Sequence, residues 1–112
     1  MAKREHGYGG QKEQKVARLL RNKGANVETS HASKGAVDLT VRFRTGTRWN
    51  VDVKYSRTGK PATVPARDIG RLKRISTRQR ATPVVATVSP RRVEYISARS
   101  GKRLTPPPRK KK

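Results

Sequence analysis

Cysteine is absent from this chain of 112 residues. That excludes a disulfide framework and any cysteine-built zinc finger, and it fits a reducing compartment. No apolar run approaches the roughly 20 residues a membrane-spanning helix needs. The opening "MAKREHGYGG" carries no signal-peptide apolar region, so no membrane partner is expected. Aromatic residues make up 4% of the chain and hydrophobic residues 31%, low enough that only patterning separates a folded domain from disorder. Acids are scarcest of all. Seven Asp and Glu stand against 29 Lys and Arg, for a formal net charge of +22 and a pI near 11.8. Such a surface attracts polyanions, and nucleic acid is the expected partner.

The patterning is present in the middle of the chain. Residues 1–10, with three glycines and no periodicity, read as a flexible basic arm, and residues 99–112, "RSGKRLTPPPRKKK", as a disordered Pro-rich basic tail. Between them, residues 11–98 form one domain. A core of that size is marginal alone, so a homodimer is expected.

Residues 11–23 have helical spacing, with Val16, Ala17, Leu19 and Leu20 apolar and Gly24 as the stop. Strands are predicted at 25–30, 36–43 and 48–56, the last two joined by a turn around Gly46. A helix is predicted over 67–80, with Ile69, Leu72 and Ile75 in a stripe, followed by strands at 83–88 and 91–97. The order α-β-β-β-α-β-β implies an α/β fold with a central mixed five-stranded sheet flanked by helices. Trp49 and Phe43 are expected in its core.

Two of the few carboxylates fall inside the two predicted strands joined at Gly46. Side chains alternate along a strand, so Asp38, Thr40 and Arg42 share one face, as do Asn50, Asp52 and Lys54. If these strands pair as a hairpin, Asp38, Asp52 and Lys54 meet. Glu13 lies on the same helical stripe as Val16, Ala17 and Leu20, where a carboxylate is costly unless something positive meets it. Carboxylates gathered in this way repel one another, and a divalent cation reverses that repulsion. The chemistry implied is metal-dependent phosphodiester hydrolysis, with Mg²⁺ as cofactor and Mn²⁺ as a substitute. Lys54 would steady the developing charge.

Glu13 in a first helix, then "SHASKGAVDL", then "NVDVK", resembles the layout of the PD-(D/E)xK nuclease superfamily and, more narrowly, the archaeal-type Holliday junction resolvase family, also found in viruses and phages. The likeness continues through "ARDIGRLKRIS", "TPVVATV" and "VEYI". It implies a restriction-endonuclease-like fold and a homodimer that makes paired symmetric nicks in four-way junctions and other branched DNA. Carried onto this sequence, the metal ligands would be Glu13, Asp38, Asp52 and the carbonyl of Val53. Lys54 would be the catalytic lysine, and Ser30 would match a serine assisting near the scissile phosphate. Relatives often carry arginine where this chain has Gln14 and Thr29, and glutamate where it has Asp52. DNA contacts then fall to Lys12, Lys15, Lys34 and Arg57, with Tyr8 stacking at the junction. A cytoplasmic, DNA-associated protein of a prokaryote or of a virus in its host follows. The charge alone is equally natural for a non-catalytic nucleic-acid-binding protein, and the motif for a nuclease acting on another DNA substrate. The acid cluster favours the enzyme.

Overall fold

The computed structural model describes residues 3–29, 37–58, 60 and 64–107, with the backbone alone for 3–11. Its described elements are α1 (Lys3–Asn22), β1 (Asn26–Thr29), β2 (Leu39–Arg42), β3 (Arg48–Tyr55), α2 (Ala66–Arg78), β4 (Thr82–Val88), β5 (Val93–Ser97) and β6 (Arg103–Leu104). The strands form one sheet in the order β1-β2-β3-β4-β5-β6. Pairing is antiparallel except between β3 and β4, which run parallel. The helix α2 makes the crossover that a parallel pair requires.

Two features differ from the sequence-based expectation. The first helix begins at Lys3 rather than at residue 11, so residues 3–10 are not an irregular arm. Gly7, Gly9 and Gly10 each cost about 1 kcal/mol in a helix, which argues against helix there. Once the packed turns around Val16 and Leu20 have formed the nucleus, however, each further residue adds a backbone hydrogen bond. The sheet also has a sixth strand. After β5 the chain turns at Gly101 (φ 76°), and Arg103 and Leu104 pair with Ile96 and Tyr95. Two residues are too few to give a periodic signal. As a short, basic edge strand followed by prolines, β6 suits the blunting of a sheet edge.

The helix α1 covers one face of the sheet. Val16, Ala17 and Leu20 are fully buried against Leu39, Val41, Val51, Val84 and Ala86. Phe43, Trp49 and Tyr95 close one side of this core, with ring centroids 4.9 Å and 5.4 Å apart along the chain of three. Burial pushes the Tyr95 hydroxyl up to about 12. Leu20→Ala would leave a cavity under α1 and should destabilise the fold by about 2–5 kcal/mol, read from the denaturant midpoint.

Residues 43–47 turn the β2–β3 hairpin. The Gly46 N–H donates to the Phe43 carbonyl at 2.9 Å and the Phe43 N–H to the Thr47 carbonyl at 2.8 Å, with Gly46 at φ 97°. This is a type I turn closed by a left-handed glycine, which fixes the register. The helix α2 lies on the opposite face. Of its apolar stripe Leu72 is buried, while Ile69 and Ile75 are half-buried. Beneath its end, the Asn50 amide donates to Ser76 Oγ at 3.2 Å and to Gln79 Oε1 at 2.9 Å.

Candidate active site

The hairpin register decides which polar side chains meet. Leu39 pairs with Val51 and Thr40 with Asn50, so Asp38, one residue before β2, stands opposite Asp52 on the face that carries α2. Two backbone bonds hold Asp38 there. Its N–H donates to the Val51 carbonyl, and its Oδ2 accepts from the Val53 N–H, both at 2.8 Å. The Val53 N–H is thus taken up by the Asp38 carboxylate.

Asp52 is only 7% exposed. Burial drives its carboxyl up to about 7, helped by a hydrogen bond with the Asp38 carboxyl. The Lys54 ammonium opposes the rise, while the charges of Asp38 and Asp68 add to it. Lys54 Nζ lies 3.7 Å from Asp52 Oδ1 and keeps about a third of its side chain in solvent. An ammonium so placed is anchored at the acid pair yet open to an arriving anion. Glu13, on α1, is close enough to feel the charge of Asp38. Partial burial, and then the charge of Asp38, push its carboxyl up.

Asp68 is not among the sequence-derived candidates. It lies in the first turn of α2, where a helix N-terminus favours a carboxylate on its own account. A signal is nevertheless present, because Asp68 sits in "ARDIGRLKRIS" and is one of only seven acids. Glu13, Asp38, Asp52 and Asp68 are thus electrostatically linked.

The expected DNA contacts are less concentrated. Lys12 Nζ lies 4.3 Å above the ring centre of Tyr55, near the end of β3. Lys15 instead lines a cleft with Leu19, Arg92, Val93 and Leu104 on the β5–β6 side. Arg57 is exposed beside Ser89, Arg91 and Arg92. Ser30 and Lys34, like the Tyr8 side chain, lie outside the described residues.

Among the described residues no three His, Cys, Asp or Glu side chains form a ready metal-holding group. The Asp38–Asp52 pair still suits a hard divalent cation. Two carboxylates that share a hydrogen bond at the cost of a raised pKa lose that cost when a cation replaces the proton. Mg²⁺ is commonly held by one or two carboxylates, with water and substrate phosphate completing its shell.

One solved structure bears on the fold. A solved structure of Archaeoglobus fulgidus Hjc, described as a Holliday junction resolvase from an archaeal hyperthermophile, superposes with a TM-score of 0.69 over 80% of this chain and 77% of that one. This chain shares the fold of that protein. At 17% identity the likeness lies in the backbone, and the mixed α/β sheet flanked by helices is the architecture that the resemblance implied, with six strands rather than five. No protein-family model matches the chain, and no curated protein matches it. Among the described residues, no helix is long and apolar enough to cross a membrane.

Proposed function

We propose that this protein is a structure-selective endonuclease that resolves four-way DNA junctions by paired symmetric nicks, with Mg²⁺ as cofactor and Mn²⁺ as a substitute. The observation that carries this reading is the pairing of Asp38 with Asp52 beside Lys54 on a resolvase fold. A protein that only binds nucleic acid gains nothing from two opposed carboxylates where phosphate must approach.

Asp38 and Asp52 would hold the cation, with Glu13 and the Val53 carbonyl as further donors. When bound, the cation supplies positive charge that offsets the negative charge gathering on the phosphate under attack. The remaining roles belong to side chains. Asp52, whose carboxyl stands near 7, would release its proton to solvent on taking up a cation. Asp38 keeps its orientation through the Val53 N–H. Lys54 donates to a non-bridging phosphate oxygen or orients the attacking water, and Ser30 assists near the same phosphate. Lys12, Lys15, Lys34 and Arg57 bind the DNA backbone, and Tyr8 stacks at the junction centre. Two copies would place two such sites on opposed strands, with the half-buried Ile69 and Ile75 in the shared interface. This activity places the protein in the cytoplasm of a prokaryote or of an infected host, on DNA.

The test is cleavage of a labelled four-way junction beside a linear duplex of the same arms, with Mg²⁺ or with EDTA. Paired nicks confined to the junction and lost in EDTA are expected. Tight binding without cleavage would overturn the enzyme, and equal cutting of both substrates would overturn junction selectivity. Lys54→Met should slow single-turnover cleavage about 10²–10³-fold while junction binding changes little. It should also move the rising limb of the pH–rate profile to higher pH, because Lys54 holds the Asp52 pKa down.

A further inference from the structure

The sheet face that carries the carboxylates continues into a different environment. Following the β2–β3 register away from Asp38 and Asp52, Thr40 lies opposite Asn50, and then Arg42 opposite Arg48. Four residues of strand separate the acid pair from the arginine pair, about 13 Å. The end of α2 meets the sheet there, around a cleft of about 450 Å³ lined by Thr40, Arg42, Arg48, Asn50, Arg78 and Arg80. No acid lines it. Among the described residues, none of the four guanidinium groups has an ion-pair or hydrogen-bond partner. Four guanidiniums around one cleft repel each other, and an anion between them removes the repulsion.

The backbone supplies a second observation. Both helices end with the same two bonds. In α1 the Gly24 N–H donates to the Arg21 carbonyl (2.9 Å) and the Ala25 N–H to the Leu20 carbonyl (3.1 Å). In α2 the Arg80 N–H donates to the Thr77 carbonyl (3.2 Å) and the Ala81 N–H to the Ser76 carbonyl (2.8 Å). This is the Schellman motif, whose turning residue adopts a left-handed conformation and is usually glycine. Gly24 fills that position at φ 90°, whereas Arg80 fills it at φ 56° and is the one non-glycine at positive φ among the described residues. A Cβ is strained there. The turn has no use for a guanidinium, so the arginine serves something beyond the turn.

A third observation lies on the floor of the cleft. Asn50 is 1% exposed, and its Oδ1 has no hydrogen-bond partner. Such an acceptor can be met by a guanidinium N–H of the rim but not by a phosphate, which offers it no proton, so the floor favours arginines drawn inward over it.

We propose that this arginine cleft is a second phosphate-binding site, which grips the backbone of a DNA arm about four nucleotide steps from the point of cleavage at 3.4 Å per step. Arg80 occupies a glycine position because its guanidinium is needed there. The assignment rests on the nuclease reading only in taking DNA as the source of the phosphate. Free phosphate has the same chemistry, and the experiment separates the two.

The full chain is titrated in EDTA, so that nothing is cut, onto labelled junction and onto linear duplex over a range of salt concentrations. Arg80→Gly should raise the melting temperature by a few degrees through relief of the strained turn. It should also weaken DNA binding about 3–10-fold and flatten the salt dependence by about one phosphate. Arg42→Gln combined with Arg48→Gln should flatten it by about two. Arg80→Gly that melts higher yet binds DNA as wild type does, with the same salt slope, would overturn the proposal. Thermal stabilisation by inorganic phosphate that the double variant loses, with DNA binding unaffected, would likewise overturn the DNA assignment in favour of a free anion. If the wild type binds but never cuts a junction with Mg²⁺, the nuclease reading fails while the salt-slope result stands.

Discussion

Asp38→Asn should abolish junction cleavage, by about 10³-fold or more, while leaving the fold intact. The magnitude follows from removing a charged group on which the chemistry depends directly. The intact fold follows from the geometry. Asp38 accepts the Val53 N–H through Oδ2 at 2.8 Å, and an asparagine side-chain oxygen can take the same bond. The substitution therefore deletes a charge and little else. It also acts on Asp52, whose carboxyl is raised in part by the hydrogen bond with Asp38 and by its charge. Without them the Asp52 pKa should fall, so Asp52 would be ionised at neutral pH and the cleavage defect could not be assigned to a protonated Asp52. The check is single-turnover cleavage in Mg²⁺ beside junction binding in EDTA. Binding should be unchanged or slightly tighter, because one negative charge has left the approach to the phosphate. Cleavage within a few fold of wild type would make Asp38 a structural residue and remove the basis for the enzymatic reading.

The second large effect concerns stability and metal. The Asp52 carboxyl stands at about 7 in the fold against an ordinary value near 3.8. A raised acid contributes stability that is fully present below its unfolded pKa and is lost as pH rises through the folded one. A tenfold change in proton affinity between the two states corresponds to about 1.4 kcal/mol. Over the window from about 4 to 7, the wild type should thus lose stability relative to Asp52→Asn. The asparagine stays neutral and can still donate to Asp38, as the protonated Asp52 does. Denaturant unfolding of both proteins in EDTA from pH 4 to pH 8 reads the difference, since other titrating groups largely cancel. The gap should widen with pH and flatten above about 7. Mg²⁺ at pH 8 should then raise the wild-type melting temperature and leave that of Asp52→Asn nearly unchanged. Parallel stability curves, or equal responses to Mg²⁺, would show that the carboxylate pair neither titrates nor binds the cation as argued.

Much of this site is a matter of parity and is legible in the sequence. Asp38 and Asp52 belong to strands whose alternate positions are apolar, and a turn at Gly46 leaves one register that buries both apolar sets. That register sets the two acids face to face. Glu13 follows from the helical spacing of Val16, Ala17 and Leu20, all fully buried. Asp68 escapes such a reading because a carboxylate in the first turn of a helix already has a sufficient local explanation. Its influence on Asp52 depends on how α2 lies across the sheet, which no local pattern specifies.

Alternation and helical period by themselves determined the strands β1 to β5, the two helices, the apolar core under α1 and the acid pair, because each is a short-range consequence of which side chains must leave water. Tertiary structure alone decided the rest. The pairing of β6 depends on a two-residue contact with β5, and the backward extension of α1 on a helical nucleus that packing supplies. The meeting of Arg42 and Arg48 with Arg78 and Arg80 depends on where the end of α2 comes down. The left-handed turn at Arg80 is likewise beyond sequence reading. An arginine carries no local sign that it will be held in a glycine's conformation, and only the packing of the helix end against the sheet imposes it.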